Sequence, residues 1–157
     1  MSKKFAILVG TMTGTAYFVA QEIAAVLTSR GASVEEIDMG GLTPTVLTPD
    51  RDYIICTSTY GSGDVPDNAR DFFDALENER PDLSQIRFAV FGLGDSTYQQ
   101  TFGFGGIKFD ELFGALGAQR LVPVQIHNAS GGTMPEDECV PWIEQVASEA
   151  MLETTAS

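Results

Sequence analysis

A chain of 157 residues, 43% of them hydrophobic, is long enough to bury the core of one domain without disulfides or a structural metal. Its 22 acidic residues outnumber its 9 basic ones, and the resulting net charge of -13 argues against nucleic acid or an anionic membrane as a partner. The same charge favours docking to basic protein surfaces, although acidity can also serve solubility alone.

Cysteine and histidine are too scarce to build a metal or dithiol centre. Cys56 and Cys139 are the two cysteines, His127 is the one histidine, and no Cys-x-x-Cys spacing is present. We therefore expect no metal site and no dithiol chemistry. The apolar run at residues 5–9 is too short for a signal peptide, and no run could span a membrane, which predicts a cytoplasmic protein.

The predicted elements alternate between apolar runs and amphipathic stretches. Strands are predicted at residues 5–9, 33–37, 52–58, 86–93 and 120–126. Helices are predicted at residues 15–30, 67–79, 105–116 and 135–152, with a short polar tail at 153–157. Residues 38–49, rich in Gly and Pro, are predicted to be mostly loop. Because the strands are apolar throughout and alternate with helices, the pattern predicts a doubly wound parallel α/β sheet.

The first predicted helix has an apolar face and a clear end. The residues expected on that face are Phe18, Val19, Ile23, Val26 and Leu27. Gly31 follows this helix and Gly117 follows the third, and a glycine directly after a helix is typical of its C-terminus.

Ligands of such sheets bind beyond the carboxyl ends of the strands, so the segment after the first strand is informative. It reads Gly10-Thr11-Met12-Thr13-Gly14-Thr15-Ala16. Thr hydroxyls and the unpaired N–H groups of a helix N-terminus can hold a phosphate monoester without lysine. A Walker loop, a GxGxxG site and a response regulator would need residues that are missing here. The alternative is a Thr-capped helix that binds nothing.

The segments after the third and fourth strands suit a flat aromatic ligand. The first reads Ser58-Thr59-Tyr60-Gly61-Ser62-Gly63-Asp64, in which Tyr60 could stack on a ring and Gly61 could turn its peptide toward a ring nitrogen. The second, Gly92-Leu93-Gly94-Asp95-Ser96-Thr97-Tyr98, ends in a tyrosine that could cover the opposite face. Phe102 and Phe104 follow, and they better fit a small core beneath a long loop.

These three segments together resemble the flavodoxin family, in particular short-chain, MioC-like flavodoxins and the FMN domains of diflavin reductases. The resemblance runs over essentially the whole chain. It implies a flavodoxin-like sheet of five parallel strands in the order 2-1-3-4-5, with helices on both faces and a single FMN-binding domain at residues 1–152. Many flavodoxins carry Glu where this chain has Tyr17.

The resemblance also implies a cofactor and its contacts. FMN would be held through its phosphate by Thr11, Met12, Thr13, Gly14, Thr15 and Ala16, and its ring would lie between Tyr60 and Tyr98. Gly61 would meet flavin N5 through its backbone, with Ser58, Thr59, Ser62 and Gly63 around it. Further contacts are expected from Leu93, Gly94, Asp95, Phe102, Phe104 and Asn128. Asn128 or Ser130 would replace an acidic residue that the family often has after the fifth strand.

The function implied is that of a monomeric one-electron carrier without catalytic residues of its own. Its donor would be a flavodoxin/ferredoxin-NADP reductase-type protein, since no NADPH or FAD domain follows, and its acceptors would have basic surfaces. One alternative is an FMN-dependent NAD(P)H:quinone-type reductase, which would need a substrate pocket above the flavin. Another is a non-redox FMN- or nucleotide-sensing protein.

Overall fold

The computed structural model describes residues 4–10, 15–58, 67–94, 104–128 and 134–156. The strands are β1 (Lys4–Gly10), β2 (Ser33–Asp38), β3 (Asp52–Ser58), β4 (Arg87–Gly94), β5 (Gln119–Arg120) and β6 (Gln125–Asn128). The helices are α1 (Thr15–Ser29), α2 (Asp67–Glu79), α3 (Phe104–Ala115) and α4 (Pro135–Ala156). One turn of 3-10 helix, Pro44–Val46, interrupts the predicted loop.

All strand pairs in the sheet are parallel, and their order confirms the prediction. The sheet runs β2-β1-β3-β4, and β5 and β6 both pair with β4. Together, β5 and β6 therefore occupy the fifth position of the order 2-1-3-4-5. Helices α1, α2 and α3 each connect two consecutive strands, the turn of 3-10 helix lies between β2 and β3, and α4 follows β6.

The fifth strand was predicted as one run over residues 120–126, and this is wrong. In the structure, β5 pairs with the first two residues of β4, and β6 pairs with its last four, leaving residues 121–124 between them. Pro123 lies in this gap, and because it has no N–H it cannot donate to the neighbouring strand. The Pro123 carbonyl accepts a hydrogen bond from the indole Nε1–H of Trp142 on α4, at 3.5 Å.

Two hydrophobic clusters cover the sheet, one on each face. Alternate residues of β1 divide between them: Phe5, Ile7 and Val9 point into the cluster with α1 and α4, and Ala6 and Leu8 point into the cluster with α2 and α3. This division explains why β1 is apolar throughout, since both of its faces are buried, whereas the edge strand β2 is largely exposed.

Helix α1 matches its predicted apolar face except at one residue. Val19, Ile23 and Leu27 are fully buried, whereas Phe18 is 61% exposed. Successive helical residues are rotated by about 100°, so Phe18 lies about 200° round the helix from the buried Ala16. The aromatic side chain therefore projects away from the sheet.

The glycines predicted to end α1 and α3 do so. Gly31 has φ +88° and Gly117 has φ +98°, which are left-handed conformations that glycine adopts without strain. After α1, Gly31 N–H donates to Thr28 and Ala32 N–H donates to Leu27, which is the Schellman pattern. The last helix was predicted to end at Leu152 but continues to Ala156, so most of the predicted tail is helical.

A buried ion pair joins the first residues of β3 and β4. Arg87 donates through Nε to Asp52 Oδ1 at 3.0 Å and through Nη2 to Asp52 Oδ2 at 2.7 Å. The side chains are only 15% and 6% exposed. Arg87 Nη2 also reaches the Ala150 carbonyl at 3.5 Å, so the pair ties α4 to the amino edge of the sheet.

Substituting Asp52→Asn should lower the free energy of unfolding by about 3 kcal/mol, because it leaves a buried guanidinium without its counter-charge. Urea denaturation followed by circular dichroism measures this. The control is Glu35→Gln, since Glu35 pairs with Arg51 at 3.4 Å but its side chain is 65% exposed. That change should cost no more than about 0.5 kcal/mol. Equal losses in the two variants would contradict the assignment of the Asp52 pair as a structural tie.

Candidate cofactor site at the carboxyl edge of the sheet

Four strands end at nearly the same level on one edge of the sheet. Gly10 at the end of β1 is level with Thr57, which is one residue before the end of β3. Ser58 at the end of β3 is level with Leu93, and Gly94 at the end of β4 is level with Asn128 of β6. The segments 11–14, 59–66, 95–103 and 129–133 therefore all leave from this edge, which is where the site is predicted.

The predicted site residues divide into two groups. Those outside the described residues are Thr11, Met12, Thr13, Gly14, Thr59, Tyr60, Gly61, Ser62, Gly63, Asp95, Tyr98 and Phe102. Those within them are Thr15, Ala16, Ser58, Leu93, Gly94, Phe104 and Asn128. Every member of the second group lies at or next to an element end that borders one of the four segments. Their contacts with a cofactor stay predictions.

The start of α1 is held firmly over the sheet. Ala16 is fully buried, so only its backbone can face a ligand. Its carbonyl accepts from the Cys56 thiol of β3 at 3.5 Å. Burial and, to a smaller extent, the nearby Cys139 raise the pKa of Cys56 well above its usual range. The thiol therefore stays protonated, and its S–H remains available to donate to the Ala16 carbonyl. A buried, protonated thiol of this kind is a poor nucleophile at neutral pH.

This anchored helix N-terminus fits a phosphate monoester. The first-turn N–H groups of α1 point out of the helix toward the segment 11–14, and the helix dipole adds partial positive charge there. Backbone donors of this kind suit a dianionic phosphate even in a protein of net charge -13, because the helix end supplies N–H donors and partial positive charge without a Lys or Arg side chain.

Burial limits the predicted contact of Leu93 to its backbone atoms. The Leu93 side chain is 7% exposed and packs in the cluster with α1 and α4, so a contact with a cofactor would come from its backbone. His127 and Asn128, which were predicted to open a loop, instead end β6. His127 is 2% exposed, and its Nε2 lies 3.7 Å from Glu138 Oε2 on α4. The single histidine thus belongs to the interior beneath the site.

Sequence reasoning missed a backbone contact that positions the fourth strand and the third helix. A Cβ at Gly92 would lie 2.6 Å from Ile126 Cδ1 and 3.3 Å from Gly106 Cα. A Cβ at Gly106 would lie 3.0 Å from Gly92 Cα. Helix α3 therefore approaches β4 backbone to backbone and fixes both ends of the segment 95–103. The signal in the sequence was a glycine in each of two successive elements, at positions where no turn needs one.

Comparison with known proteins decides the family, because the flavodoxin family model matches residues 7–142. The chain belongs to the flavodoxin family. It is 35% identical to flavodoxin YqcA of Escherichia coli over 139 residues, which is 88% of this chain and 93% of that protein. It is also 36% identical to human NADPH–cytochrome P450 reductase over 87% of this chain but only 20% of that protein.

Solved structures agree with this membership. A point mutant of flavodoxin from Pseudomonas aeruginosa superposes with a TM-score of 0.80 at 33% identity, covering 93% of this chain and 97% of that one. Flavodoxins bind FMN and transfer electrons, so this chain is an FMN electron-transfer flavodoxin. Among the residues described, no helix combines the length and apolar character needed to cross a bilayer.

The variant Gly106→Ala should destabilise this flavodoxin by about 2 kcal/mol, because the added methyl group forces α3 away from β4. Gly114→Ala on the same helix is the matched control, since its Cβ would meet only Arg120 Nη2, at an ordinary 3.5 Å. Removing a helical glycine there should stabilise the fold by about 0.5 kcal/mol. Urea unfolding of both apoproteins measures the difference, and a Gly106→Ala variant as stable as Gly114→Ala would contradict the close contact.

Proposed function

We propose that this flavodoxin is a one-electron shuttle that receives electrons from a separate flavodoxin/ferredoxin-NADP reductase-type protein and delivers them to acceptors with basic surfaces. The observation that carries the proposal is the shared edge at which β1, β3, β4 and β6 end, in a chain of the flavodoxin family. The similarity to NADPH–cytochrome P450 reductase supports a reductase-type donor. The cytoplasmic location and the monomeric state stay predictions from the sequence.

The residues that we propose hold FMN belong to the strand and helix ends at this edge and to the segments that follow them in the sequence. The first-turn N–H groups of α1, with Thr11, Thr13 and Thr15, bind the phosphate. The backbone at Leu93 and Gly94 orients the cofactor along the end of β4. Tyr60 and Tyr98 shield the two faces of the ring from water. FMN, when bound, supplies the redox chemistry, and the protein's part is to hold and orient it.

The proposed docking surface includes helix α2, which begins directly after the segment 59–66. Asp71, Glu77 and Glu79 are exposed on this helix, and Asp74 is half-buried. Exposed carboxylates along α2 attract a basic partner and raise the rate of productive encounter.

We expect the FMN-loaded protein not to oxidise NADPH by itself and to be reduced by NADPH once a flavodoxin-NADP reductase is added. Bleaching of flavin absorbance under anaerobic conditions measures this, with free FMN at the same concentration as the control. Direct oxidation of NADPH by the protein alone would favour the quinone-type reductase instead. A protein that takes up no FMN would overturn the proposal altogether.

The variant Asp71→Asn/Glu77→Gln should lower the second-order rate constant for reduction by the reductase about threefold at low salt, because it removes steering charge. Stopped-flow absorbance measures the rate. The matched control is Glu144→Gln/Glu149→Gln, which removes the same charge from exposed positions on α4, across the sheet. The difference should shrink as ionic strength rises. Equal rates in the two variants would count against docking through α2.

A further inference from the structure

One exposed aromatic residue stands out on α1. Its sheet-facing residues are buried, and its outward positions Gln21, Glu22, Ala25 and Thr28 are polar or small. Phe18 occupies that outward face and is 61% exposed. Neighbouring Tyr17, 37% exposed, extends the apolar surface toward β2. Two adjacent aromatic side chains in the first turns of the helix thus form a surface that the described fold does not bury, which we name the α1 aromatic patch.

Tyr17 of the α1 aromatic patch is held in a defined geometry. The Tyr17 hydroxyl donates to Asp38 Oδ2 at the end of β2. Asp38 Oδ1 in turn accepts from the Gly40 N–H at 2.7 Å, so the carboxylate is fixed on both oxygens. A tied aromatic ring loses little conformational entropy when a partner covers it, and this is a property of residues that anchor interfaces.

The charge around the patch identifies its occupant. Glu22 lies one turn beyond Phe18. Glu36 and Asp38 lie on the α1 side of the adjacent edge strand, because they are level with Ile7 and Val9 of β1, which face the cluster with α1. A second copy of this chain would bring another net charge of -13 against this rim, and an anionic lipid surface would also be repelled. A basic rim around an apolar recess complements the patch in both charge and polarity.

We propose that the α1 aromatic patch is a docking point for a basic-rimmed electron-transfer protein, with Phe18 inserting into an apolar recess of that partner. The proposal rests on the carrier function proposed above. It adds a contact surface beside the predicted phosphate segment, on the opposite face of the sheet from α2. Because Phe18 makes an apolar contact, its contribution is insensitive to salt, unlike the steering by α2.

The experiment compares FMN-loaded wild type with Phe18→Ser, using a flavodoxin-NADP reductase and NADPH as the probe. We expect the KM for the flavodoxin to rise five- to tenfold with little change in kcat, equally at low and high salt. Tyr17→Phe, which loses the tie to Asp38 but keeps the ring, should raise KM about twofold. Ala25→Ser, two turns along the same exposed face, is the control and should match wild type.

The outcomes separate this inference from the proposed function. An unchanged KM in Phe18→Ser, with wild type still reduced by the reductase, overturns the patch and leaves the carrier function intact. Failure of wild type to bind FMN or to accept electrons overturns both. Sedimentation at high protein concentration tests the other occupant: a wild-type dimer that Phe18→Ser abolishes would assign the patch to self-association. FMN affinity should be the same in Phe18→Ser and wild type.

Discussion

The requirement that both faces of a parallel sheet be covered governs this structure. Helices α1 and α4 bury one face of the sheet, and α2 and α3 bury the other. Between parallel strands, the chain therefore crosses over one face or the other before it rejoins the sheet. A consequence is that β1, β3, β4 and β6 end at one edge of the sheet, and α1, α2, α3 and α4 each begin after one of these ends along the chain. The unpaired N–H groups in the first turns of these helices suit a ligand that binds beyond this edge.

The site depends on supports that lie beneath it and take no part in the chemistry. The Cys56 thiol holds the first turn of α1. The contact between Gly92 and Gly106 sets the distance of α3 from β4. Ala69 and Met39 pack so closely against Gly10 that they leave no room for a side chain there. At the opposite edge, the pair of Asp52 and Arg87 closes the sheet against α4. Flavin binding and electron transfer therefore rely on packing that keeps four strand ends level, since a shift at one end would displace the segment that follows it.

Acidity has two effects in this molecule. With only 9 basic residues in the chain, we propose that the FMN phosphate is held by backbone and hydroxyl donors, for which a helix N-terminus is well suited. Acidity also makes the protein surface complementary to basic partners, with carboxylates on α2 on one face and around the α1 aromatic patch on the other. The carrier can thus present charge for encounter and an aromatic side chain for close contact, and these two terms respond differently to salt.

The sequence alone determined the alternation of strands and helices, their order in the sheet, the glycine ends of α1 and α3, and the family, because these depend on local periodicity, turn chemistry and motifs. Tertiary structure decided what depends on neighbours distant in sequence. The gap around Pro123 follows from the pairing with β4, since β5 pairs with the start of β4 and β6 with its end. The contact between Gly92 and Gly106 exists only because α3 packs on β4. The exposure of Phe18 was decided in the same way, since hydrophobicity suggests burial but the rotation of α1 against the sheet leaves this side chain outside the core.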